Sequence, residues 1–118
     1  MAGLKTHKGG CACGAVAYEV DTDLQGLIEC NCSHCYPKGF VLAFVQPDAF
    51  RVLKEGPQTA YTFNSHKIRH LFCDTCGVQS FARGETADGS QMVAVNVRTL
   101  TDIEPWSWSA QRVDGRSF

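Results

Sequence analysis

Seven cysteines stand in a chain of 118 residues, and every one belongs to a short cluster. The clusters read Cys11-Ala12-Cys13-Gly14, then Cys30-Asn31-Cys32-Ser33-His34-Cys35, then Cys73-Asp74-Thr75-Cys76-Gly77. An odd number of thiols cannot all pair in disulfides, and buried cysteines that merely fill a core would be scattered. In a reducing compartment, thiols at these spacings bind metal. A structural zinc takes four tetrahedral ligands, whereas an open zinc takes three from the protein and leaves one position to water or substrate. Seven thiols therefore divide as four plus three, giving two Zn²⁺ per chain.

The residues that follow each cluster assign its members. Cys13-Gly14 and Cys76-Gly77 both end in glycine, which turns the chain through positive φ and lets backbone N–H groups point at sulfur. Those halves are expected to join, with Cys11, Cys13, Cys73 and Cys76 making one structural zinc site between distant parts of the chain. Cys30, Cys32 and Cys35 remain, and can reach one metal from a single short segment. His34 lies inside that cluster, with its imidazole expected to point outward; His66, His70 or an aspartate are the alternatives that would close the site. With none of them bound, the fourth ligand comes from outside. Three thiolates around Zn²⁺ are formally anionic, which suits the metal to exchanging an incoming thiol rather than to activating water.

Other side chains could serve such a site. His66 could shuttle a proton near neutral pH, while His70 is expected on a solvated edge. Lys67, Arg69, Arg98 and Arg116 could hold carboxylates. Trp106 and Trp108 alternate as strand residues do and are expected to pack core, or one of them to wall a pocket.

The elements that must position these groups are short. Ala15 to Val20, Phe40 to Val45, Phe50 to Leu53, Thr59 to Phe63, Lys67 to Phe72, Val78 to Ala82 and Met92 to Val97 are rich in β-branched and aromatic residues and read as strands. Turn chemistry separates them, as at Gln46-Pro47-Asp48 and Glu55-Gly56-Pro57. Helix is limited to about one turn around Ser33 to Lys38. An all-β fold of antiparallel strands organised around zinc knuckles, as a single domain over 1–118, is the expectation. The net charge of −1 gives no excess positive potential and argues against nucleic acid as a partner. No apolar run approaches the ~20 residues that span a bilayer, and Lys5, His7 and Lys8 stand where a signal peptide would be apolar. A cytoplasmic protein with no membrane association is expected.

The order Gly10-Cys11-x-Cys13-Gly14, Cys30-x-Cys32-x-x-Cys35, Phe72-Cys73-x-x-Cys76-Gly77 resembles the family of glutathione-dependent formaldehyde-activating enzymes and centromere protein V. Cys30-Asn31-Cys32-Ser33, Tyr61 to Lys67 and Phe72 to Phe81 are closer to the centromere protein V-like branch, and the likeness runs from about residue 9 to 118, including Val95-Asn96-Val97-Arg98 and Asp114-Gly115-Arg116. The resemblance implies a β-rich fold similar to Mss4-like folds, a structural zinc at Cys11, Cys13, Cys73 and Cys76, and a labile or catalytic zinc at Cys30, Cys32 and Cys35. It also implies a carbon–sulfur lyase that joins glutathione and formaldehyde as S-hydroxymethylglutathione, or runs that reaction backward, with His66 as an added catalytic candidate. The chain has Ala12, Asn31 and Tyr36 where formaldehyde-activating members commonly carry histidine inside the CxC pairs and arginine after the middle cluster. Two other readings stand beside the enzyme: a non-catalytic zinc module that binds a protein partner, and a thiol redox protein using Cys30, Cys32 and Cys35.

Overall fold

Strand β2 (Ala17–Thr22) sets the pattern of the whole architecture, because its side chains alternate strictly between core and solvent. Tyr18 and Val20 face inward and are fully buried, while Glu19 and Asp21 face outward to meet Arg51 across the sheet. This computed structural model describes residues 4–62, 68–86 and 88–114. Flanking β2 are β1 (Lys5–Gly10) and β5 (Phe50–Lys54), both antiparallel to it, in a three-stranded sheet. A second sheet holds β3 (Leu27–Cys30), β4 (Leu42–Val45), β6 (Gln58–Tyr61), β7 (Arg69–Cys73), β8 (Gln79–Glu85), β9 (Gln91–Asn96) and β10 (Ala110–Val113). Its order is β10-β3-β4-β9-β8-β7-β6. Helix is confined to α1 (Cys35–Lys38) and two 3₁₀ turns, Pro47–Ala49 and Val97–Thr99. The all-β expectation holds, and the one helical turn falls where the sequence places it.

The core lies where the two sheets face each other. Phe50 of β5 and Phe81 of β8 sit with ring centroids 4.7 Å apart, and Tyr18 packs on both, at 5.2 and 6.4 Å. Val16, Val41, Val93, Val95 and Val97 complete a β-branched interior. The Tyr18 hydroxyl, which burial alone would strand, shares a 2.6 Å hydrogen bond with Thr99 Oγ1. The sheets are also joined through their backbones, since Gly9 of β1 bridges to Leu100 beyond β9.

Three features depart from the sequence reading. One ladder is parallel: β10 runs beside β3 with Ala110 opposite Leu27 and Val113 opposite Cys30. No hairpin joins these strands, so nothing in the chain's local turn chemistry imposes the antiparallel direction on them. Trp106 does not pack core; it is 77% exposed at a turn with φ +62°. Trp108 packs against the core as expected, half-buried beneath the guanidinium of Arg98, but lies outside any strand. No helix of the described residues is long and apolar enough to cross a membrane.

Candidate metal centres

The first centre is built by two backbone turns of the same design. After β1, Gly14 at φ +83° donates its N–H to the Cys11 carbonyl at 3.3 Å, and the Val16 N–H points at Cys11 Sγ from 3.3 Å. After β7, Gly77 at φ +79° repeats the turn with a 2.8 Å bond to the Cys73 carbonyl, and the Thr75 N–H lies 3.4 Å from Cys73 Sγ. Glycine is required because an L side chain rarely adopts this φ. The turns bring Cys11, Cys13, Cys73 and Cys76 together with all four sulfurs within 4.8 Å of one another. Cys13 Sγ is 3.6 Å from both Cys11 Sγ and Cys73 Sγ, too far for a disulfide and close to the ~3.8 Å edge of a tetrahedron with 2.3 Å zinc–sulfur bonds. The donor set thus fits a tetrahedral divalent metal.

The electrostatics also call for a cation. The Val78 N–H, aimed at Cys76, brings that thiol down to about 6. At Cys13 the Ala15 N–H favours the thiolate, but the neighbouring Cys11 sulfur, burial and Cys73 outweigh it and push the thiol up to about 11. Cys11, against which burial works, is brought down by the Val16 N–H and the neighbouring sulfurs, so two of these thiols favour the thiolate while Cys13 resists it, and a bound cation would favour the thiolate at all of them.

At the middle cluster β3 ends in Cys30 and α1 begins at Cys35, with Cys32 between them. These three sulfurs also lie within 4.8 Å of one another. The Cys32 N–H points at Cys30 Sγ (3.5 Å) and the Cys35 N–H at Cys32 Sγ (3.3 Å), while Tyr36 N–H donates to the Cys32 carbonyl at 3.0 Å. Burial opposes the Cys32 thiolate, yet the Cys35 N–H and the surrounding thiols bring Cys32 down overall. Burial and the Cys32 charge push Cys35 far up. Among the described residues, no histidine or carboxylate joins these sulfurs.

His34 and His70 are placed differently from the expectation for either. Both are buried, not outward or on a solvated edge. Their rings lie 4.0 Å apart, and His34 stacks on Tyr61 at 5.6 Å and against Phe40. The reason is that His34 stands at the N-cap of α1, where its ring packs against Phe40, Tyr61 of β6 and His70 of β7. His66 and Lys67, together with Arg116, lie outside the described residues.

Beside the middle cluster opens a cavity of about 490 Å³ whose lining includes Cys30, Cys35, Tyr36, Phe40 and Arg98. Its far wall comes from β10 and the residue after it: Arg112, Val113 and Asp114. Asn31 clamps that wall, its side chain donating to Asp114 Oδ1 at 3.0 Å and its N–H to the Val113 carbonyl at 3.4 Å. Sequence reading did not find Glu29, Arg112 or this clamp, since each is an ordinary polar residue until the parallel β10–β3 pairing brings them together. The nearest signal was the tail motif beginning at Asp114.

A solved crystal structure of a Rhodobacter sphaeroides protein superimposes with a TM-score of 0.78, at 28% sequence identity, over 90% of this chain and 99% of that one. Residues 6–112 match the family described as glutathione-dependent formaldehyde-activating enzyme. On that match, which spans all three cysteine clusters, the chain belongs to the glutathione-dependent formaldehyde-activating enzyme family.

Proposed function

We propose that this chain is a zinc-dependent carbon–sulfur lyase that combines a glutathione-type thiol with formaldehyde or a related carbonyl, in the manner of an S-hydroxymethylglutathione synthase. The observation that carries this reading is the three-sulfur cluster opening on a cavity, with no fourth donor among the described residues. Cys11, Cys13, Cys73 and Cys76 would hold one zinc for the fold, and Cys30, Cys32 and Cys35 the other. The second zinc, when bound, supplies a position at which a substrate thiol loses its proton and is kept as thiolate. The cavity brings carbonyl and sulfur together, and proximity supplies much of the acceleration. The thiolate sulfur attacks the carbonyl carbon, a C–S bond forms, the C=O π bond opens, and the resulting oxygen takes a proton to give the hydroxymethyl thioether. His66 is a proposed proton shuttle for that last step. The motifs from Cys30 to Ser33 and from Phe72 to Phe81 support placing the chain near the centromere protein V-like branch.

The test is Cys32→Ala in the zinc-loaded chain. The variant should stay folded, retain one zinc instead of two, and lose glutathione binding by calorimetry. Normal glutathione binding by a folded Cys32→Ala protein would refute the open-zinc reading.

A further inference from the structure

We infer that Arg98 is the anion anchor of the cavity and selects thiols that carry a carboxylate. The inference rests on the thiol reading above and adds to it the chemical class of the thiol. Four charged side chains line the cavity, and three of them have a side-chain partner among the described residues, Arg112 only through an exposed surface pair. Arg112 pairs with Glu29 at 3.5 Å, and Asp114 accepts from Asn31 at 3.0 Å. The guanidinium of Arg98 makes no ion pair or hydrogen bond among the described residues; it lies over the ring of Trp108, 5.5 Å from the centroid. An arginine whose guanidinium rests over an indole keeps its charge and its donors.

The backbone beneath Arg98 is rigid. Buried Asn96 accepts the Arg98 N–H at 3.2 Å and donates to the Gln79 carbonyl at 3.0 Å. Thr99, one residue on, bonds the Asn96 carbonyl at 2.7 Å and Tyr18 at 2.6 Å. Arg98 Nε passes 4.0 Å from where a side chain at Gly39 would begin, and the Gly39 N–H caps the turn that starts at Cys35. The guanidinium thus lies across the end of the segment that bears the sulfurs. A three-thiolate zinc is formally negative, and a fourth thiolate makes it more so. A carboxylate tethered to that thiol would meet an unfavourable field unless a cation stood beside it, and Arg98 is the uncommitted one.

The experiment titrates the zinc-loaded full chain with two thiols of equal size, 3-mercaptopropionate and 3-mercaptopropionamide, by calorimetry. The wild type should bind the carboxylate about tenfold more tightly than the amide, the size of one charge-assisted hydrogen bond. Arg98→Gln should bind both at the wild type's affinity for the amide, and Arg98→Lys should keep part of the preference. A preserved preference in Arg98→Gln, or an equal loss for both thiols, would overturn the assignment. Equal binding of the two thiols by the wild type would overturn it while leaving the open-zinc reading intact; binding of neither would overturn both.

Discussion

His34 and His70 are imidazoles that the fold has taken out of water. Burial disfavours the imidazolium of His70, the charges of His34 and Lys38 disfavour it further, and its pKa falls from the ordinary 6.5 to about 4. His34 is lowered for the same leading reason. The unfolded chain therefore takes up a proton near pH 6.5 that the folded chain accepts only near 4. The stability contribution is intact above about pH 6.5 and is lost as pH falls through that window, by up to about 3 kcal/mol from His70. Ring resonances of His70 followed by NMR should keep their neutral-form positions at pH 5.5; a midpoint above 6 would contradict the burial argument. The cysteine clusters were legible because a metal site built from a short segment writes its spacing into the sequence. The histidine pair was not, because its partners meet only when α1 is laid over β7.

At the scale of the element, β1 depends on a residue with no side chain. A Cβ on Gly9 would come within 2.5 Å of Tyr18 Oη and 2.7 Å of the Thr99 carbonyl, and neither a fully buried ring nor a backbone oxygen can yield cheaply. Gly9→Ala should destabilise the protein by about 1–3 kcal/mol, seen as a lower urea midpoint at unchanged slope. An unchanged midpoint would mean that the β1–Leu100 bridge is not held tightly. Strands such as β5 and β9 were readable from Phe50-Arg51-Val52-Leu53 and from the alternation around Val93 and Val95. β1 and β10 were not, since Lys5-Thr6-His7-Lys8-Gly9-Gly10 and Ala110-Gln111-Arg112-Val113 carry little of the β-branched signal and owe their extension to the strand each pairs with.

At the scale of the molecule, the four-sulfur centre joins the three-stranded sheet, through Cys11 and Cys13, to the seven-stranded sheet, through Cys73 and Cys76. A metal there closes a long loop and fixes the two layers, and structural zinc is worth ~10 kcal/mol or more in small domains. Cys76→Ala should therefore be unfolded or insoluble. Wild-type protein should yield two zincs, the one at Cys30, Cys32 and Cys35 released first under mild chelation with circular dichroism unchanged. Simultaneous release of both metals with loss of the fold would contradict the division into a closed and an open site. The grouping of the sulfurs into a four and a three was legible from the thiol count and from Gly14 and Gly77. The strand order, with its parallel edge, was not, because no local turn records it.

The parallel edge sets the last described strand of the chain beside one of the first of its sheet. Both sulfur centres and every other described strand precede β10 in the chain, yet Arg112, Val113 and Asp114 form the cavity's far wall. The cavity is walled only when the last strand lies beside β3, so the sulfurs of this polypeptide can meet before the cavity beside them is closed.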